Sequence, residues 1–168
     1  MGDTVAGVNY MINDDLFDGG RLLGGLRVKL PTGSENNLTG TGSMDAGAFV
    51  AYHHEWDAAT LSHMQLGYAT YGRRSNQKSL DTNPAWNASV GLERLLVQEY
   101  WAFGRVNFSQ SPFVKARLPV FYHRDVADLQ LGVMKSFADQ TWSLGVDVGL
   151  SETAADASVH VNWLKLFN

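Results

Sequence analysis

Ser111, His123 and Asp125 lie close together in one polar stretch and supply the residue types of an acyl-transfer triad. In such a triad the imidazole takes the serine proton and the acid orients the ring. A lipid or peptide hydrolase sited at the rim of the fold is therefore the enzymatic alternative, although three such common residues in one polar loop carry little by themselves. Pro31-Thr32-Gly33, followed by Asn36, Asn37, Gly40 and Gly42, has the small residues of a phosphate-cradling loop. It lacks the Lys-Ser/Thr ending that a P-loop needs, and reads as a connection shaped by turn residues. His53-His54-Glu55 sets two histidines side by side; on a strand they point to opposite faces and cannot share one metal. His63 and His123 are too isolated to complete a site by spacing. No catalytic residue, cofactor or metal ion is expected on these grounds.

A second group of residues is defined by the face it shares. Arg21, Arg27, Lys29, Glu55, Glu93, Arg105 and Asp147 all fall on the polar side of stretches in which apolar and polar residues alternate. Successive strand side chains point to opposite faces, so a period of two produces a sheet with one apolar and one polar side. Charges collected on one face of a closed sheet must pair or meet water, because isolated burial is costly. They predict a polar network in the interior of a barrel. It would either plug the lumen as a ladder of opposite charges or line a hydrated path for small solutes.

Nine stretches pass the alternation test. They are predicted near 4–12, 21–31, 46–56, 61–72, 86–96, 99–109, 126–137, 142–151 and 157–167. The clearest puts Trp142, Leu144, Val146, Val148 and Leu150 opposite Ser143, Gly145, Asp147, Gly149 and Ser151. Glycine recurs on the polar faces, at Gly7, Gly25, Gly47, Gly67, Gly91, Gly132, Gly145 and Gly149. On a flat exposed sheet it would only weaken the strands, whereas inside a curved barrel it relieves crowding. Connections alternate between tight and long. The tight ones lie around Asp57-Ala58-Ala59-Thr60, Val97-Gln98 and Ala138-Asp139-Gln140; the long ones span 32–45, 73–85 and 110–125. Short periplasmic turns and longer external loops are the rhythm of outer-membrane barrels.

Composition permits this reading and removes others. At 168 residues with 45% hydrophobic content, one domain is expected over 1–168. With 13 basic and 17 acidic residues the formal net charge is -4, and the basic residues form no stripe to follow a phosphate backbone, which argues against nucleic acid. Cysteine is absent, which suits an exported bacterial protein and many cytoplasmic ones alike. No run of 18 apolar residues exists, so a transmembrane helix is not predicted; a mean hydropathy of -0.17 is no obstacle to spanning strands. The start at Met1-Gly2-Asp3 lacks the regions of a signal peptide. Either the protein is not exported, or the numbering begins downstream of a removed leader. Tyr10, Tyr52, Tyr68, Trp86, Tyr100, Trp142 and Trp163 lie toward strand ends on the apolar face, where aromatic girdles would sit.

Val159, Val161, Trp163, Lys165 and Phe167 resemble the C-terminal signal read by the barrel-assembly machinery of outer membranes. Leu30-Pro31-Thr32-Gly33 and Leu38-Thr39-Gly40-Thr41-Gly42-Ser43-Met44-Asp45 resemble a pattern of an uncharacterised proteobacterial outer-membrane barrel family, a domain of unknown function. Gly2-Asp3 and Gln110-Ser111-Pro112-Phe113 look like further pieces of it, and the phenol-degradation outer-membrane family shares its theme. The resemblance covers most of this chain and the C-terminal part of a full-length relative. It implies a location and a fold, and no activity.

The expectation is thus an all-β, antiparallel, up-and-down transmembrane β-barrel in the bacterial outer membrane. This chain would supply about eight to ten strands, or part of a barrel of about 12, since single-chain bacterial barrels have even counts. Its partners would be membrane lipids, the assembly machinery and small solutes, its role structural or a passive, porin-like channel. A soluble lipocalin-like barrel is the remaining alternative.

Overall fold

A computed structural model of the chain describes residues 3–33, 42–72, 82–113, 125–137, 139–152 and 156–165. Nine strands form one sheet in chain order: β1 (Thr4–Leu16), β2 (Gly20–Leu30), β3 (Asp45–Asp57), β4 (Thr60–Tyr71), β5 (Ala85–Val97), β6 (Tyr100–Ser109), β7 (Val126–Ser136), β8 (Gln140–Gly149) and β9 (Ala157–Lys165). Every neighbouring pair is antiparallel. The predicted stretches and the strands agree to within a few residues. β1 is the exception: it runs on to Leu16 through two register shifts after Met11. Alternation breaks at those bulges, which hides the continuation from a period-two reading.

The short connections all lie at one end of the sheet and the long ones at the other. Tight turns close where the backbone enters the left-handed region. Phe17, Asp18 and Gly19 do so in succession with φ of 55°, 56° and 102°, and Gln98 does so with φ 49°. Asp57, at the end of β3, pins the β3–β4 turn by accepting hydrogen bonds from the Ala59 amide at 2.7 Å and the Thr60 hydroxyl at 3.1 Å. Those bonds hold its carboxyl below the ordinary aspartate range.

The sheet is open. β1 and β9 are its two edges and do not pair with each other, so the closed barrel expected from the alternation is not formed by the described residues. The strand count gives the reason. With nine strands in alternating directions, β1 and β9 both run from the long-connection end to the tight-turn end. They could meet only in parallel, against the antiparallel order of every other pair.

Burial is inverted relative to a water-soluble domain. Among the described residues only Ala51 and Ala85 are buried apolar residues, whereas Ser43, Thr60 and His63 are buried polar ones. Val8 is 61% exposed, Leu131 49% and Val161 66%, and most large residues of the apolar rows are likewise open, Leu22, Val28, Tyr52 and Leu129 being half-buried. Two sheets packed face to face would seal these rows away.

Candidate functional site

Residues opposed across antiparallel strands share a face, so the register assembles the polar face row by row. One row crosses eight strands: Arg21, His53, His63, Gly91, Arg105, Gln130, Asp147 and Ser158. The next row toward the tight turns contains Glu55, Leu61, Glu93, Phe103, Gly132, Gly145 and His160. Arg27 and Lys29 stand nearer the long connections, opposite Gly47 and Asp45. All seven charged residues picked out by alternation therefore share one face, but they do not form one ladder.

They fall into five separate groups. At the tight-turn end Arg21 pairs with Glu55 at 2.9 Å, both half exposed. In the middle, Arg105 Nε donates to His63 Nε2 at 2.9 Å, and His63 Nδ1 faces Glu93 at 3.9 Å. Further along, Asp147 Oδ2 accepts from the Ser158 hydroxyl at 3.1 Å and meets His160 Nδ1 at 3.2 Å. Its Oδ1 is enclosed and has no hydrogen-bond partner among the described residues. Lys29, toward the long connections, pairs with Asp45 and, at 3.6 Å, with Asp3. Arg27 lies over the Phe49 ring, 5.2 Å from its centroid.

Glycine lets these rings lie flat on the polar face. A Cβ at Gly91 would come within 2.4 Å of His63 Cε1, and one at Gly145 within 2.4 Å of His160 Cε1. The crowding inferred from the polar-face glycines is real at these sites. It arises from side chains of the adjacent strand folded across the bare backbone.

Around the described histidines no serine hydroxyl is set on a basic ring nitrogen. Ser158 and His160 bond to the same Asp147 oxygen, and His160 Nε2 faces Gln130 at 3.4 Å, so the hydroxyl is not on the ring's basic nitrogen. His63 Nε2 is occupied by Arg105. Of the loop candidates, His123 lies outside the described residues. Asp125 accepts the Ser111 backbone amide at 3.0 Å, and Ser111 Oγ accepts the Phe113 amide at 3.3 Å, both of which shape the loop base. His53 and His54 do point to opposite faces: His53 tilts toward His63 on the polar side, and His54 stacks edge-on against Trp56 on the other. Among the described residues no three His, Asp or Glu side chains gather as metal ligands.

The Pro31-Thr32-Gly33 and Ser43-Met44-Asp45 segments have a mechanical part to play. Asp45 receives Lys29, the Ser43 hydroxyl at 3.2 Å and the Gly72 amide at 3.1 Å. Asp3 receives Lys29 and the Gly33 amide at 3.0 Å, and the Thr4 amide donates to Thr32 Oγ1 at 2.8 Å. The base of the long connection after β2 is thereby tied to β1, β3 and the end of β4. Leu38 to Thr41 of this pattern, and Phe167 of the C-terminal one, lie outside the described residues. Asp3, His160 and Phe49 were missing from the candidates read from the sequence, and His63 was set aside there as too isolated to complete a metal site. Phe49 and Phe103 occupy polar-face positions, so strict counting by twos from Gly47 and Arg105 would have found them.

No protein-family model and no curated protein matches this chain.

Proposed function

We propose that this chain forms wall of an outer-membrane β-barrel in a Gram-negative bacterium, with a structural role or a passive, porin-like one toward small solutes. The observation that carries the reading is the inverted burial: apolar rows open on one face, charged and hydrogen-bonded rows on the other. In water that arrangement exposes apolar surface on a scale that marks a contact with lipid or protein. In a bilayer it is the stable one, because neighbouring strands pair their backbone groups along the sheet and the apolar side chains meet hydrocarbon. A lipocalin-like barrel would need the same rows sealed inside. Around Ala88 the apolar face has a hollow of about 390 Å³ walled by Val50, Met64, Leu66, Val90 and Phe108, room for a stretch of acyl chain.

Further support comes from the rims. The Tyr68 and Trp86 rings meet at 4.6 Å toward the long connections, and the Trp142 and Trp163 rings at 5.9 Å toward the tight turns. Paired aromatics at both ends of an apolar band are what interfacial girdles use. On this reading the barrel closes with an odd number of further strands, its partners are membrane lipids and the assembly machinery, and it belongs with the uncharacterised outer-membrane family that its motifs resemble. No catalytic step is assigned.

Fractionation and conductance test the proposal together. The protein should require detergent for extraction, and should migrate differently on gels before and after heating. Folded protein in a planar bilayer should carry current. Recovery from the aqueous fraction would overturn the membrane reading, and silence from folded, inserted protein would leave the structural role alone.

A further inference from the structure

Toward the long connections the polar face holds a cavity of about 190 Å³. Arg27, Phe49, Gln65 and Asn87 line it beside the paired Lys29 and Asp45, with Gly47 and Gly67 in its floor. The register explains the space: Arg27 has Gly7 and Gly47 as its direct cross-strand neighbours, and Phe49 has Gly25 and Gly67. The Phe49 ring folds over Gly25, where a Cβ would fall 2.2 Å from Cε1, and the Asn87 amide folds over Gly67. No side chain folds over Gly47 in this way: the nearest atom to a Cβ there would be the Tyr68 carbonyl oxygen at 3.3 Å.

Three polar side chains converge on this space with their hydrogen-bonding capacity unused. Among the described residues, Arg27 forms no ion pair, and neither Gln65 nor Asn87 makes a side-chain hydrogen bond. This contrasts with Arg21, Lys29 and Arg105 on the same face, each of which is engaged. A lone guanidinium offers a planar fork that matches the two oxygens of a carboxylate, and neutral amides add donors without adding charge. One positive charge fits one negative charge. The neighbouring cation, Lys29, is already held by Asp3 and Asp45, so a phosphate dianion would find no second cation.

We propose that Arg27, Gln65 and Asn87 form a binding site for a small organic carboxylate, with Phe49 and the Gly47–Gly67 floor receiving its apolar body. The site rests on the reading that the polar face lines a water-filled interior. Its position near the long connections places it inside the mouth of the barrel, where it would raise the local concentration of anionic solutes.

The chain has no cysteine, so a single introduced thiol reports the site cleanly. Ala69, on the cavity wall, is replaced (Ala69→Cys) in the detergent-folded protein, and its labelling by a water-soluble maleimide is timed against increasing butanoate. Butanoate should slow labelling, and butanamide, its neutral isostere, should not. Arg27→Gln should raise the butanoate needed by about tenfold or more, as loss of a hydrogen-bonded charge pair implies. Arg27→Lys should fall between, and Asn87→Ala should give a smaller shift. Equal protection by butanamide, or protection unchanged in Arg27→Gln, overturns the site. Labelling that butanoate never slows overturns the site and leaves the water-filled interior standing; a thiol that no aqueous reagent reaches overturns the interior and the site with it.

Discussion

Arg105 Nε donates to His63 Nε2 across 2.9 Å, joining strands that are separated by β5. The residue between them in the row is Gly91, and only the missing side chain lets the imidazole lie across β5 to reach the guanidinium. A ring accepting at Nε2 carries its proton on Nδ1, the nitrogen that faces Glu93. The arrangement fixes one tautomer of a side chain that is only 7% exposed, and makes it a cross-strand tie.

Gly91→Ala should therefore destabilise the protein even though alanine suits strands better than glycine. The new methyl displaces His63 and breaks its bond to Arg105, an overpacking cost of about 1–3 kcal/mol. In a His63→Ala background the same substitution should cost less, since the close contact left is the Gly104 carbonyl oxygen at 2.9 Å. Urea unfolding of the four proteins in detergent, read as a double-mutant cycle, checks the coupling; equal effects in both backgrounds would refute the tie.

Lys29 and Asp45 face each other across β2 and β3 at the base of a long connection. Asp45→Ala leaves the Lys29 ammonium to Asp3 and the Ser43 hydroxyl and Gly72 amide without this acceptor, so a loss of about 1–3 kcal/mol is expected. Asp45→Asn keeps an acceptor and should lose less. Denaturant midpoints of the two variants decide the order.

Val90 lies at the middle of β5 on the apolar face and is 51% exposed. If that face meets lipid, Val90→Arg should cost about 2–4 kcal/mol in folding into vesicles. Ser89→Arg, one residue along and on the polar face, should cost far less. A water-exposed apolar face would instead tolerate Val90→Arg and gain solubility from it.

The Asp57 carboxylate has its pKa lowered by the Ala59 amide first and by the Thr60 hydroxyl next. A folded pKa below the unfolded one stabilises the fold at pH values above the unfolded pKa, and that contribution disappears as pH falls through the folded one. Asp57→Ala should thus be destabilising at neutral pH and progressively less so below about pH 4, where the wild-type carboxyl also takes up its proton. Stability measured across that range should bring the two proteins together at the acid end.

The long stretches of strict alternation, from Leu22 to Leu30 or Trp142 to Leu150, made the strands and their two faces legible without coordinates. Alternation is a local property, set by the pleat. The polar-face placement of Arg21, Arg27, Lys29, Glu55, Glu93, Arg105 and Asp147 follows from the same parity. The extension of β1 past Met11 was not legible, because a bulge shifts the parity that the eye follows.

Strand number, hairpin order and the opposition of an apolar to a charged face were determined by the amino-acid sequence alone, since each needs only neighbours along the chain. Tertiary structure decided which charges meet. His63 reaches Arg105 two strands away, Lys29 reaches Asp3 and Asp45, and Arg27 is left with Phe49 and an open floor. The physical reason is register: a period of two tells each side chain which face it occupies, but sliding one strand past the next by two residues keeps every face and changes every partner.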